Sequence, residues 1–220
     1  MNQNGIIIRK FHPTDREEVR KISCETAFLE EDRTKIITDD EILADILTKY
    51  FTDYEADSCY VAVKENKVIG YLIGSKDVAR MQRIMISKIV PRLLLKAIKN
   101  NSFFQASNLR CLFYCLISLW KGEFNMPNFS EKFPATLHIN ISKDYRNFNL
   151  GTKLIEKFVG YLRENKVTGV HLATLSNGAK IFFTKLDFKI LFQGKRTYLK
   201  YCLGKEVAIY VLGKEIEGGH

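Results

Sequence analysis

Seven consecutive residues have the types and order of a phosphate-binding loop. They are Arg146, Asn147, Phe148, Asn149, Leu150, Gly151 and Thr152. Gly151 has no Cβ, so the backbone at this position can approach a ligand closely, and Asn149 adopts a left-handed conformation more readily than most residues. Arg146 adds a permanent positive charge at the start of the loop. The segment therefore predicts a site for a phosphorylated ligand.

The elements on either side of this loop must position it. A run with strand character, from 134 to 141, precedes the loop, and an amphipathic helix is predicted from 151 to 163. The first N–H groups of a helix have no partner within the helix and lie at the positive end of its dipole. A loop that leads into such a helix end presents these groups to an anion, which favours phosphate binding.

Several segments resemble, in order and spacing, the GNAT superfamily of N-acetyltransferases. The loop 146–151 is similar to the family motif Arg/Gln-x-x-Gly-x-Gly/Ala, with Asn149 in place of the first glycine. The run 137–145 resembles the family's fourth strand and the turn after it, and 169–174 resembles its fifth strand. The run 179–188 resembles its last helix and the start of its sixth strand.

This resemblance implies a fold and a co-substrate. The fold is α/β, a mixed and twisted central sheet of about seven strands with helices on both faces, and the co-substrate is acetyl-coenzyme A. The pyrophosphate is expected on the loop 146–152, and the pantetheine arm along the fourth strand at Ile139, Asn140 and Ile141. The acetyl group then passes directly from the thioester to the primary amine of a small molecule or peptide.

One position departs from the family pattern. The family places a tyrosine, its general acid, four residues after the alanine that corresponds to Ala179, and this chain has Phe183 there. Phe183 cannot donate a proton, so we expect its ring to pack near the pantetheine arm. The family's asparagine corresponds to Ser176, or to Asn177 if the alignment shifts by one residue. These differences leave open a coenzyme A-binding module without turnover.

Few side chains qualify as the general base. His138 shares a strand face with Asn140, and a neutral imidazole can accept a proton directly or through water. Glu123, which precedes the same strand, is a second catalytic candidate, and Glu131 and Asp77 complete the set. Each has an ordinary alternative role, as a hydrogen-bonded core histidine or as a solvated loop carboxylate.

Composition limits the class of protein. The chain has 220 residues, 46% of them hydrophobic, which is enough for one domain with a substantial core. Its five cysteines lack paired metal-ligand spacing, so no metal site is predicted. The N-terminal sequence lacks the features of a signal peptide, and a reducing cytoplasm is the expected location. The formal net charge of +9 suits coenzyme A, but also nucleic acid or an anionic membrane surface.

Residues 78–133 are the part of the chain that the resemblance does not explain. Helices are predicted over 81–99, with an interruption at Pro91, and over 108–120. The single domain 1–220 therefore carries a mainly helical insertion between its third and fourth strands. The run 112–120 is apolar but too short to span a bilayer. We expect it to be buried against the domain, with an interfacial membrane anchor as the alternative.

Basic residues in this insertion raise the question of nucleic acid. The row comprises Arg83, Lys88, Arg92, Lys96 and Lys99. A solvated polar helix face explains such a row, and no recognised nucleic-acid-binding motif accompanies it. Nucleic acid is therefore not the expected partner, and a homodimer stays an open alternative.

Local signals predict further elements. Capping boxes at 14–17 and 38–41 predict two helix starts. The runs 59–63 and 68–73, on either side of the turn 65–67, predict an antiparallel hairpin. Strands are also predicted at 5–11, 188–194 and 206–214.

Overall fold

A computed structural model describes residues 5–27, 39–146, 148–204 and 207–217 of the chain. The strands are β1 (Ile6–Lys10), β2 (Tyr60–Lys64), β3 (Lys67–Ser75), β4 (Ala135–Ile141), β5 (Gly169–Thr174), β6 (Lys189–Lys195) and β7 (Ala208–Glu215). The α-helices in these ranges are α1 (Arg16–Thr26), α2 (Asp40–Tyr54), α3 (Val78–Ile84), α4 (Val90–Lys99), α5 (Ala106–Trp120), α6 (Leu150–Glu164), α7 (Asn177–Thr184) and α8 (Thr197–Leu203).

The strands form one sheet in the order β1-β2-β3-β4-β5-β7-β6. Every neighbouring pair is antiparallel except β4 and β5, which are parallel. The turn between β2 and β3 holds Glu65 and Asn66 at φ of 50° and 61°, the left-handed geometry of tight hairpin turns. The predicted hairpin and the predicted mixed sheet of about seven strands are both confirmed.

One face of the sheet is covered by α6 and α7. Helix α6 buries Leu154, Phe158 and Leu162 in the core that it shares with the sheet. Gly74 in β3 makes room for this helix, because a Cβ there would lie 2.4 Å from two ring carbons of Phe158. Burial of each large apolar side chain stabilises the fold by roughly 1.5–3 kcal/mol. The close contact between Gly74 and Phe158 therefore fixes the position of α6 on the sheet.

The opposite face is covered by α1 and α2. Val19 of α1 packs in one cluster with Tyr71 of β3. An ion pair between Arg20 and Asp45, both almost fully buried, joins α1 to α2. Burial alone would raise the pKa of Asp45, but the hydrogen bond and charge of Arg20 leave that pKa below its ordinary value. Helices therefore lie on both faces of the sheet, as predicted.

The capping box predicted at 14–17 is wrong. The N-cap is His12, whose ring nitrogen accepts a hydrogen bond from the Thr14 N–H, while Asp15 accepts one from the His12 N–H. These residues begin a single 3-10 turn, and α1 follows it at Arg16. Pro13 suits the first position of that turn because its ring fixes φ and it has no N–H to satisfy. The cap therefore lies two residues earlier than predicted.

The second predicted capping box, 38–41, begins outside the described residues, which resume at residue 39. Asp39 is the N-cap of α2, and its carboxylate accepts a hydrogen bond from the Ile42 N–H at 3.1 Å. A carboxylate at this position satisfies one of the unpaired N–H groups of the first turn. The start of α2 thus lies within the predicted segment.

The segment between β3 and β4 is helical, as predicted. The chain winds without a break from Val78 to Lys99, with a π-helical turn at Met85–Ile89 between α3 and α4. The predicted interruption at Pro91 is wrong, because this residue lies in the first turn of α4. The wider π turn just before it changes which N–H and C=O groups pair, so a residue without an N–H is accommodated.

The prediction that 112–120 is buried against the domain is also wrong. In α5 the buried residues are Cys111 and Ser118, whereas Leu112, Leu116 and Leu119 are exposed. The side of α5 that packs near α8 carries cysteine and serine side chains, so the apolar residues are left on the outside. Within the described ranges, no helix is long and apolar enough to cross a membrane.

Candidate functional site

Strands β4 and β5 separate shortly after they begin. They pair only at Ala135 with Val170 and at Thr136 with His171. Beyond this point β4 continues to pair with β3, and β5 pairs with β7 on its other side. The two parallel strands therefore enclose a wedge that opens toward their C-terminal ends, and beyond Thr136 the edge of β4 that lines it has no strand partner among the described residues.

Alternation along β4 decides which backbone groups line this wedge. The Ser142 N–H donates to the Ile69 carbonyl of β3 at 2.9 Å. Because backbone groups alternate in direction along a strand, those of Asn140 also face β3, while those of Ile139 and Ile141 face the wedge. The Arg146 Nε donates to the Ile141 carbonyl at 3.2 Å. The open edge thus presents backbone groups of Ile139 and Ile141, two of the three residues predicted for the pantetheine arm, whereas the backbone groups of the third, Asn140, face β3.

The loop after β4 ends at an uncapped helix start. Asn149 is the N-cap of α6 in the left-handed conformation, with φ of 56° and ψ of 21°, and its side chain makes no capping hydrogen bond. Helix α6 begins at Leu150, one residue earlier than predicted, and Asn147 lies outside the described residues. The first turn of α6 has no acidic residue and carries Lys153, whereas α1 and α2 begin with acidic side chains. This helix end is therefore suited to an anion.

Two apolar side chains hold the loop in place. Leu150 is buried in the core, and Phe148 packs against the same core with its ring centroid 5.9 Å from that of Tyr145. Thr152 is only partly buried, and Arg146 and Asn149 are exposed. The loop therefore anchors itself through its apolar side chains, while Arg146 and Asn149 lie on its exposed side.

Gly151 has a packing role that the sequence did not reveal. A Cβ at this position would lie 2.8 Å from the Cζ of Phe182 in α7. The glycine therefore lets the α6 start approach the Phe182 ring, in addition to any approach of a ligand. The neighbouring Phe183 is buried in the core, with its ring centroid 5.2 Å from that of Phe188. Phe182 and Phe183 thus both pack against the core that α7 shares with α6.

The start of α7 places the two polar candidates next to each other. Ser176 is the N-cap, and its hydroxyl accepts a hydrogen bond from the Ala179 N–H at 3.2 Å. Asn177 is the first residue of the helix and is exposed. Ser176 is thus engaged by the helix itself, and Asn177 is the side chain at this position that remains open to a ligand.

Three polar side chains are linked on the face of the sheet that α1 covers. The Asn140 Nδ2 donates to the Tyr71 hydroxyl at 2.8 Å, and it lies 2.8 Å from the His138 Nε2. With the amide nitrogen as donor in both bonds, the His138 Nε2 accepts and the ring proton is on Nδ1. Burial lowers the pKa of His138 to about 4, although the residue as a whole is only partly buried, and burial raises the pKa of Tyr71. His138 is therefore neutral at pH 7.

Glu123 lies in a different setting from His138. Its carboxylate accepts hydrogen bonds from the Thr197 hydroxyl and, at 2.8 Å, from the Thr197 N–H. Burial alone would raise the pKa of Glu123, but the bonds from Thr197 and Ser118 leave that pKa below its ordinary value. Among the described residues no hydrogen bond or ion pair joins Glu123 to His138. The structure thus places the two catalytic candidates on separate elements.

The remaining candidates also have local partners or open positions. Asp77 is the N-cap of α3 and accepts a hydrogen bond from the Arg80 N–H at 2.9 Å. Glu131 is exposed. Sequence reasoning missed His171, which pairs with Thr136 at the base of the wedge and lies 2.7 Å, through Nδ1, from the Phe133 carbonyl. A lone histidine within an ordinary strand pattern offered no signal that would have singled it out.

Several solved structures have the same fold. One, described as SsHAT, is 20% identical in sequence, with a TM-score of 0.69 over 96% of this chain and 98% of that chain. An agmatine N-acetyltransferase is 14% identical, with a TM-score of 0.58 over 96% and 99%. The ribosomal-protein-S18-alanine N-acetyltransferase of Escherichia coli is 14% identical, with a TM-score of 0.53 over 96% and 94%. No family profile and no curated protein sequence matches the chain. The resemblance predicted from the sequence is confirmed for the fold.

Proposed function

From the fold of the GNAT superfamily, which this chain has, we propose that the protein transfers the acetyl group of acetyl-coenzyme A to a primary amine. The observation that carries the proposal is the separation of β4 from β5 beside the uncapped start of α6. An open strand edge suits an amide-bearing arm, and an open helix N-terminus suits a pyrophosphate. Agmatine and an alanine of a ribosomal protein, named as substrates of two similar structures, both supply amines.

Donor binding in this proposal depends mainly on backbone groups. The pyrophosphate accepts hydrogen bonds from the first N–H groups of α6, and the pantetheine arm pairs with the open edge of β4. The proposed set comprises Ile139, Asn140, Ile141, Arg146, Asn147, Phe148, Asn149, Leu150, Gly151, Thr152, Asn177 and Phe183. Arg146 supplies charge, and Asn177 supplies an exposed amide. Phe183, inside the core, contributes only a supporting surface.

The proposed reaction is a single displacement at the thioester. The amine nitrogen attacks the carbonyl carbon, a C–N bond forms, and the C–S bond breaks to release the coenzyme A thiolate. The N–H of Ile139, on the open edge of β4, is the proposed donor to the carbonyl oxygen. The attacking nitrogen loses its proton to water or to His138. The thiolate takes a proton from solvent, because Phe183 has none to give.

His138 is proposed to act on the acceptor side of the sheet. It is neutral at pH 7, but a pKa of about 4 makes it a weak base, since the best general bases have a pKa near the working pH. We expect it to accept a hydrogen bond from the amine or from an intervening water. Turnover should therefore show no step near pH 6.5, the ordinary pKa of histidine. A step at that pH, absent in His138→Gln, would mean that the imidazole is more basic when substrate is bound.

Glu123 is the second proposed catalytic residue, and the structure provides a way to judge it. Because its carboxylate holds Thr197 at the start of α8, Glu123→Gln should lower the melting temperature. If Glu123 is also a base, turnover of the folded variant should fall about 100-fold or more. Thr197→Val is the matched control, because it removes one bond to the carboxylate without removing the carboxylate.

Calorimetry with acetyl-coenzyme A tests the donor site. Gly151→Glu should weaken binding by about 100-fold or more, because a carboxylate at the phosphate position costs several kcal/mol. The side chain of this variant would also collide with the Phe182 ring. Lys153→Glu therefore provides a second test that does not depend on this collision. It places a negative charge in the same helix turn and should weaken binding by about tenfold. Gly160→Glu, with open space around it in the same helix, is the control and should bind normally. Unchanged affinity in both test variants would refute the site.

A coenzyme A-binding module without turnover is the alternative, favoured by the buried Phe183. The two functions differ in thiol release from acetyl-coenzyme A with a panel of primary amines. The transferase should release thiol with at least one amine, and His138→Ala should lower that rate more than it lowers donor affinity. Tight binding without thiol release from any amine would support the module. Binding to oligonucleotides that falls steeply with salt and ignores coenzyme A would favour a nucleic-acid partner instead.

A further inference from the structure

Helix α5 carries an apolar stripe on its outward side. The stripe consists of Leu109, Leu112, Phe113, Leu116, Leu119 and Trp120, which are all exposed. Their spacing of three and four residues places them on one side of the helix. Phe113 is 60% exposed and Trp120 is 88% exposed. A stripe of this width normally faces the core of a soluble domain, and large exposed apolar patches mark interaction surfaces.

Contacts on the opposite side fix the direction of this stripe. Cys111 packs in one cluster with Leu199 of α8. The Ser118 hydroxyl accepts a hydrogen bond from the Tyr198 N–H at 3.1 Å and lies 3.2 Å from the Thr197 hydroxyl. Glu123, just after α5, caps the start of α8. Hydrogen bonds and packing therefore hold α5 against the domain with its apolar side outward.

The sequence segment that contains α5 carries charge of one sign. No aspartate or glutamate occurs between Asp77 and Glu123, and this interval contains Arg80, Arg83, Lys88, Arg92, Lys96, Lys99, Arg110 and Lys121. Lys96 pairs with acidic residues of α2, whereas Arg83, Arg92 and Lys99 have no ion pair within the described ranges. Helix α4 adds four exposed apolar residues, Val90, Leu94, Leu95 and Ile98. The segment 78–122 thus combines exposed apolar side chains with a net positive charge.

We propose that the segment 78–122 binds the surface of an anionic phospholipid bilayer, with α5 lying in the interface and its apolar stripe in contact with the acyl chains. Amphipathic helices with basic surroundings bind such surfaces through apolar burial together with attraction to anionic lipids. Trp120, at the end of the stripe and beside Lys121, has the amphipathic ring that favours the level of the headgroups. The proposal is independent of the acetyl transfer proposed above.

The combination of charge and apolar surface favours an anionic bilayer over two other possible partners, a second copy of the chain and nucleic acid. A second copy of the chain would bring the same positive segment against itself, and like charges across an interface cost free energy. Nucleic acid would complement the positive charge. Protein surfaces that bind nucleic acid, however, are polar and positively charged rather than lined by leucine and phenylalanine. An anionic bilayer satisfies both the apolar stripe and the positive charge.

Fluorescence of the full chain tests the proposal directly, because Trp120 is the only tryptophan in the protein. The emission should be that of a water-exposed indole in buffer. It should shift to the blue with vesicles that mix phosphatidylglycerol and phosphatidylcholine, and it should be quenched by brominated acyl chains in those vesicles. Vesicles of phosphatidylcholine alone should give a much smaller shift, and added salt should reverse part of the binding.

Variants with matched exposure identify the surface. Leu116→Gln should weaken co-sedimentation with anionic vesicles by about tenfold, since partition depends on buried apolar area. Ile7→Gln, in β1, is the control, because Ile7 is 57% exposed and Leu116 is 55% exposed. Arg92→Gln should weaken the same binding by about fivefold, in line with ~1 kcal/mol for each basic residue near the surface. Unchanged melting temperatures would show that each variant is folded.

Three outcomes would overturn the proposal. One is emission already blue-shifted in buffer, together with a dimeric mass that Leu116→Gln converts to a monomer, which would identify a second copy as the occupant. Another is a blue shift produced by oligonucleotides and not by anionic vesicles. The third is an unchanged emission and no co-sedimentation with either kind of vesicle.

Discussion

Helices α5 and α6 have the same length and the same kind of apolar spacing, yet they face opposite ways. Both span 15 residues. Helix α6 turns Leu154, Phe158 and Leu162 into the core, whereas α5 turns Phe113 and Leu116 outward. The difference lies in the partner: α6 has the sheet and the space left by Gly74, while α5 packs near the short α8 through small and polar side chains. Periodicity therefore defines a helix face, and the neighbouring element decides its direction.

Removing one phenylalanine from each helix should reveal this difference most strongly. Phe158→Ala should lower the free energy of unfolding by about 3–5 kcal/mol, because the ring is fully buried and its loss leaves a cavity. Phe113→Ala, on the outward side of α5, should change it by less than about 0.5 kcal/mol. Denaturant titration of both variants measures the contrast. A large loss for Phe113→Ala would mean that its ring is covered in solution.

The role of Gly74 in positioning α6 can be tested by substitutions in β3. Gly74→Ala should destabilise the protein by about 1–3 kcal/mol, because the added methyl group would overlap the Phe158 ring. The same change combined with Phe158→Leu should cost less than the sum of the two single changes, since the smaller side chain leaves room for the methyl group. Strictly additive losses would show that Gly74 does not set the position of α6.

The contribution of α5 to stability should come from its polar side chains, which face α8, rather than from its exposed apolar side chains. Ser118→Ala should cost about 1–2 kcal/mol, because the buried hydroxyl is the acceptor for the Tyr198 N–H. Leu119→Ala, at the next residue, should cost less than about 0.5 kcal/mol because Leu119 is exposed. The order is the reverse of that expected for a helix with a buried apolar face. Thermal unfolding of the two variants should give this order, and the opposite order would place Leu119 at a packed contact.

The smallest expected effect is a gain. Gly160 lies inside α6, and a Cβ there would meet nothing within 4 Å. Gly160→Ala should therefore stabilise the protein by about 0.5–1 kcal/mol through reduced backbone freedom of the unfolded chain. A loss of stability in urea unfolding would indicate that this part of α6 has a neighbour that the isolated chain does not show.

The local features of the fold were predictable from the sequence because they depend on nearby residues. The hairpin around the turn 65–67 and the strand–loop–helix order around Asn149 are of this kind. Three features depend on contacts between residues far apart in sequence. Glu123 holds Thr197, Phe182 packs on Gly151, and α5 faces outward because of what α8 offers. No spacing or composition signal in the sequence encodes these contacts, and the roles of His138 and Glu123 in catalysis stay predictions.

Two-residue alternation in β4 also makes this strand intolerant of a change in length. Its odd-numbered residues present backbone groups to the wedge. Its even-numbered residues His138 and Asn140 point their side chains toward Tyr71, on the face of the sheet that α1 covers. One extra residue between Leu137 and His138 would exchange the two sets, so that the His138 and Asn140 side chains would point toward α6 and the isoleucine side chains toward Tyr71. A deletion at the same point would do likewise. Natural length variation is therefore expected in the connections around this strand and not within it.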